Sequence, residues 1–109
     1  MTAFCYVFEL LPGVDDEYDR RHAELSPLVV DAMRSAGIDD FRLFRRDRLV
    51  IAVGSADRPV PEVFAALDRD PANREWSASI RRLMSRATDE TGSLLFADEI
   101  WRLPGKDSA

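Results

Sequence analysis

With one cysteine and one histidine in 109 residues, the chain has little material for thiol or metal chemistry. Cys5 has no second thiol to pair with, and a zinc site normally takes four ligands, so neither an internal disulfide nor a zinc centre is expected. Phosphate-cradling and nucleophile motifs are missing too: the chain has no GxGxxG, no Walker loop, no GxSxG and no CxxC, and no cofactor is expected. Positive charge is in deficit, with 15 basic against 20 acidic residues and a net charge of −5. A nucleic-acid footprint needs a basic stripe, and an anionic membrane attracts polybasic segments, so neither partner is expected. No apolar run approaches the ~20 residues of a membrane span. The opening residues, from Met1 to Cys5, lack the basic and long apolar stretches of a signal peptide. A cytoplasmic protein is the expectation.

What remains is the mix of a globular protein, 46% hydrophobic and 32% charged, in a length that suits one core. The expectation is a single domain over residues 1–109 with a polar tail from about 104. Residues 3–11 are rich in aromatic and branched side chains and stop at Pro12-Gly13, the pattern of a strand closed by a turn. Phe4, Tyr6, Phe8 and Leu10 share one face; Ala3, Cys5, Val7 and Leu11 share the other, with Glu9 the lone charge. Both faces are apolar, so something must cover each side of the sheet. Cys5 in this strand reads as a buried structural thiol.

Asp15 and Asp16 can cap a helix that runs to about Ala36 and stops at Gly37, with Tyr18, His22, Leu25, Val29, Ala32 and Met33 along one stripe. Pro27 removes a donor inside this span, predicting a kink or a break with Ser26 capping a second segment. Residues 41–44 and 49–53 read as a hairpin around a solvated polar turn, Arg45-Arg46-Asp47-Arg48. Pro59 and Pro61 open a short helix over 62–67, and Asp70-Pro71 caps a long one reaching about Ala87, with Trp76, Ile80, Leu83 and Met84 on one face. A last strand is expected over 94–103.

The order β-α-β-β-α-β is the split βαβ, ferredoxin-like arrangement, α+β in class, with a four-stranded antiparallel sheet and the helices on one face. Two helices cover one side only, whereas the first strand is apolar on both. A second copy of the sheet is the simplest cover, so a homodimer is expected.

Tyr18 and His22 stand at i and i+4, neighbours on the helix face that meets the sheet. An imidazole ordinarily titrates near ~6.5 and can exchange a proton close to neutrality, while a phenol can hold a substrate hydroxyl. Trp76 begins the second stripe, as core or as an apolar platform for a sugar ring, and Phe41 is open to the same two readings. Glu99 falls among Leu95, Ala97, Trp101 and Leu103 on one face of the last strand, where a carboxylate needs a partner or an edge that reaches solvent. Arg20 and Arg21 are expected to be solvated.

Tyr18-Asp19-Arg20-Arg21-His22, with Pro27 five residues on, resembles the Y-x-x-R-H…P motif of the L-rhamnose mutarotase family. The resemblance extends to Ala36-Gly37 before an aromatic strand, to Trp76, and to Glu99-Ile100-Trp101 where the family has Glu-Val-Phe. It implies a dimeric α+β barrel and a cofactor-free isomerase that interconverts the α and β anomers of L-rhamnose or a related 6-deoxyhexose. His22 would match the family's acid, and Tyr18 and Trp76 the residues that hold the sugar. Two positions depart from the family: Phe41 stands where Tyr is common, and Ser77 where a second Trp often follows Trp76. Both touch the expected sugar site. Mutarotation needs a second proton-transfer group besides His22, either a water or Glu99. Two other functions fit the same fold: a non-catalytic sugar-binding or regulatory dimeric module, and a cofactor-independent monooxygenase-like barrel.

Overall fold

The computed structural model describes residues 2–106; positions 107–109 of the expected tail lie outside the described residues. Strand β1 (Thr2–Leu10) is followed by helices α1 (Asp15–Ala23) and α2 (Pro27–Ser35), then the hairpin β2 (Ile38–Arg46) and β3 (Leu49–Ala56). Helices α3 (Val60–Arg69) and α4 (Pro71–Arg81) and two short strands, β4 (Met84–Arg86) and β5 (Leu95–Phe96), complete the order. All pairings are antiparallel, in the order β2-β3-β1-β4, with β5 also on β1. This is the ferredoxin-like α+β arrangement, each crossover holding two helices.

Pro27 breaks the first helical region. The Ser26 hydroxyl accepts from the Leu28 amide at 3.2 Å and so caps α2, with Pro27 at the position where a missing N–H costs nothing. Asp70 caps α4 in the same way through the Asn73 amide at 3.0 Å.

Alternation along the strands sorts the core. Phe4, Phe8 and Leu10 of β1 and Val50, Ala52 and Ala56 of β3 are buried beneath the helices. Phe4 packs with Ala32 and Ala36 from the end of α2 and with Val63 and Leu67 of α3, and Phe8 and Leu10 pack with Tyr18 of α1 and Ile80 of α4. The opposite sheet face half-buries Cys5, Val7, Ile51 and Val53 and leaves Phe44 and Leu49 exposed. Cys5 is therefore half-buried on the open face, not buried as expected.

Three further expectations about the elements differ from the structure. Helix α4 ends at Arg81, not near Ala87, because the edge of β1 at Glu9 and Leu10 has groups to satisfy; Arg86 and Met84 pair with them in β4. The last strand holds two residues instead of ten. Phe96 and Leu95 pair with Tyr6 and Val7, Ala97 donates to the Cys5 carbonyl at 2.8 Å, and residues 98–103 then leave the sheet. Among the described residues nothing covers their side chains: Ile100 is 95% exposed, Trp101 71% and Leu103 73%. The turn arginines are not simply solvated. Arg45 forks onto both carboxylate oxygens of Asp19, at 2.8 and 2.6 Å, and the Arg48 Nε donates to the Leu10 carbonyl at 2.9 Å. The Asp19–Arg45 pair fixes α1 to the end of β2. Among the described residues, no helix is long and apolar enough to cross a membrane.

Candidate active site

Between the sheet and helices α1, α2 and α4 lies a cavity of about 550 Å³, within the usual size range of small-molecule sites. On β3, Ala52 lies opposite Tyr6 and Gly54 opposite Phe4, and the Phe4 ring packs over Gly54, where an added Cβ would meet its Cζ at 2.5 Å.

Tyr18, His22, Phe41, Trp76 and Ser77 all line this cavity, drawn from α1, β2 and α4. The i, i+4 spacing brings the Tyr18 and His22 rings to 4.4 Å, and His22 meets the Trp76 ring edge-on at 5.1 Å. The wall continues through Phe8, 6.1 Å from Tyr18, to Tyr6, 6.1 Å further on, and to Phe41, 6.4 Å beyond that.

The His22 Nδ1 lies 3.0 Å from the Tyr18 carbonyl oxygen. A carbonyl only accepts, so Nδ1 carries the proton and donates it, leaving Nε2 as the free nitrogen. Nε2 accepts a proton when the ring is neutral and donates one when the ring is charged. Arg21, expected to be solvated, instead reaches α4, donating to the Ser79 hydroxyl at 2.9 Å and the Ser79 carbonyl at 3.2 Å, with Glu17 on its other flank at 2.9 Å. It ties the helix of His22 to the helix of Trp76, a role that spacing along α1 alone does not reveal.

Burial raises the Tyr18 phenol well above its ordinary value, with the neighbouring Tyr6 and Asp19 adding to the rise and Arg45 opposing it. Burial likewise pushes Tyr6 up to about 12, partly offset by the positive charge of Arg81. Both are neutral phenols near pH 7, able to donate a hydrogen bond and poor as bases.

Glu99 is not in the cavity. It lies on the exposed segment after β5, its carboxylate bound by Arg102 at 2.7 and 3.1 Å, because the strand expected to carry it ends at Phe96. Tyr6, read from the sequence as one member of an apolar strand face, does line the cavity. The signal available was a phenol among apolar neighbours, which calls for a polar partner. Among the described residues, no group of three or more His, Cys, Asp or Glu is placed to hold a metal ion.

Fold and site together define a class: a ferredoxin-like α+β domain whose helices and sheet enclose an aromatic cavity with one imidazole. Comparison with known proteins narrows it. The profile of the L-rhamnose mutarotase family matches residues 3–103. An L-rhamnose mutarotase of Paraburkholderia xenovorans (strain LB400) is 43% identical over 91 residues, 84% of this chain and 85% of its own length. One from Burkholderia orbicola (strain MC0-3) is 34% identical over 89 residues, 82% of this chain and 86% of its own. The crystal structure of an L-rhamnose mutarotase from Formosa agariphila superposes with a TM-score of 0.75 over 95% of this chain and all of its own, at 14% identity. Tetracenomycin F2 cyclase of Streptomyces glaucescens, a type-II polyketide cyclase, shares the fold alone, with a TM-score of 0.70 at 16% identity over 96% of this chain and 99% of its own. The chain belongs to the L-rhamnose mutarotase family, whose members are isomerases acting on carbohydrates.

Proposed function

We propose that this protein interconverts the α and β anomers of L-rhamnose, or of a related 6-deoxyhexose such as L-fucose, by general acid-base catalysis. The observation that carries the reading is the convergence of Tyr18, His22, Phe41, Trp76 and Ser77 on one cavity, with the His22 ring held through Nδ1. In the proposed mechanism His22 enters as imidazolium and gives its Nε2 proton to the ring oxygen, while water takes the proton of the anomeric hydroxyl. The bond from the anomeric carbon to the ring oxygen breaks, the open aldehyde turns about its neighbouring carbon bond, and the ring closes on the other face with the proton transfers reversed. Positioned acid-base help of this kind is worth ~10²–10⁴-fold. Tyr18 donates to a sugar hydroxyl, Trp76 offers its face to the ring, Phe41 supplies apolar contact, and Ser77 takes the place of a second large ring. With Glu99 outside the cavity, water is the better candidate for the second proton transfer.

The same proposal takes the chain as a single domain that works in the cytoplasm as a homodimer. The apolar open sheet face and the uncovered Ile100, Trp101 and Leu103 support the second copy. Light scattering should give twice the chain mass; a monomer at micromolar concentration would refute the dimer without touching the chemistry. The activity is tested by optical rotation of freshly dissolved L-rhamnose and L-fucose. Micromolar protein should shorten the approach to anomeric equilibrium for at least one sugar, and unchanged relaxation of both would sink the proposal.

A further inference from the structure

At position 41 the cavity wall is a phenylalanine, a ring with no hydroxyl. A phenol sits beside it. The Tyr6 ring lies edge-on to Phe41 with centroids 6.4 Å apart, two strands away across β3. The approach depends on the narrow middle strand. Ala52 stands between them on the Tyr6 row, and Gly54 is the register partner of both Phe41 and Phe4, so no bulky side chain of β3 separates the rings.

The Tyr6 ring is also fixed in place. Phe4 and Phe8 flank it along the strand, at 6.4 and 6.1 Å, and Phe64 and Phe96 meet it edge-on, both at 5.8 Å. Among the described residues its hydroxyl has no protein hydrogen-bond partner, nor is that oxygen a sealed orphan; Tyr6 lines the cavity. A rigid, uncommitted phenol at a cavity wall is the arrangement that favours a ligand hydroxyl, since little rotamer freedom is lost on binding.

We propose that Tyr6 is a substrate-binding and specificity-determining residue, its hydroxyl donating to a ring hydroxyl of the bound pyranose. The inference rests on the mutarotase reading above. Burial keeps the Tyr6 phenol neutral near pH 7, so its hydroxyl remains a hydrogen-bond donor there.

The test compares wild type with Tyr6→Phe and with the double variant Tyr6→Phe/Phe41→Tyr, using anomer exchange of L-rhamnose and of its monodeoxy analogues. Losing one uncharged hydrogen bond should raise KM about 3- to 10-fold, with a smaller change in kcat. One monodeoxy analogue, lacking the hydroxyl in question, should bind wild type and Tyr6→Phe equally. Placing a phenol at the neighbouring position 41 should recover most of the lost affinity. Melting temperature should be unchanged in Tyr6→Phe, because the removed hydroxyl bonds no protein group. Equal KM and kcat in wild type and Tyr6→Phe would overturn the inference and leave the mutarotase reading standing, and so would a marked drop in melting temperature with KM preserved. A wild-type protein that exchanges none of these sugars would overturn the mutarotase reading and this inference with it.

Discussion

Replacing His22 by alanine separates a catalytic imidazole from a structural one. The ring is half-buried, touches Tyr18 and Trp76 at the cavity wall, and makes one hydrogen bond, from Nδ1 to a carbonyl of its own helix. That bond contributes ~0.5–1.5 kcal/mol, and alanine returns a few tenths through its better helix preference. The net cost to folding should stay near ~1 kcal/mol, a fall in melting temperature of roughly 4–8 °C for a domain of this size. Removing the acid should cost far more in rate: ~10²-fold or greater, about 2.7 kcal/mol of barrier. Exchange rate and melting temperature measured on one preparation give both numbers. A His22→Ala protein that is destabilised yet keeps its full rate per folded molecule would remove His22 from the mechanism.

Gly54→Ala should both destabilise the sheet and disturb the site, since a Cβ there would lie 2.5 Å from the Cζ of Phe4, beneath the aromatic wall. Overpacking of this kind costs ~1–3 kcal/mol, read as a lower denaturation midpoint, and a variant as stable as wild type would contradict the packing described. Ser26→Ala removes the α2 cap and should cost ~0.5–2 kcal/mol in denaturant unfolding; an unchanged midpoint would mean that Pro27 alone sets the break. The hydrogen bonds from Arg45 hold the Asp19 carboxyl below its ordinary value of 3.8 when folded. A depressed carboxylate stabilises the fold fully above its unfolded value and loses that contribution as pH falls through the folded one. The gap in melting temperature between wild type and Asp19→Asn should therefore be open at pH 7 and close on acidification below about pH 4, and also shrink in high salt. A gap that persists in acid would show that the pair does not anchor α1 through charge.

The parts of this fold that the sequence displays are those decided locally. Pro27 after a serine, proline after Asp70, and the alternation along β1 each act within a few residues, and each has the expected structural result. The i, i+4 pair of Tyr18 and His22 belongs with them. Less legible were features decided by distant partners. Residues 84–86 continue a helical stripe in the sequence, but the unsatisfied edge of β1 draws them into β4. Residues 98–103 alternate like a strand, yet the sheet offers them no place in this chain, and Glu99 leaves the face on which alternation put it. Arg21 and Arg45 look like surface charge until α4 and α1 arrive beside them. Tyr6 looks like core until the helices leave a cavity between themselves and the sheet that reaches it.

The most direct measurement of the central claim is saturation transfer between the two anomeric protons of L-rhamnose at pH 7, followed as protein concentration is raised. If the cavity around His22 catalyses ring opening and closing, the exchange rate rises in proportion to folded protein, and heat-denatured protein adds nothing. An exchange rate that stays at its uncatalysed value across micromolar concentrations of folded protein would contradict the account.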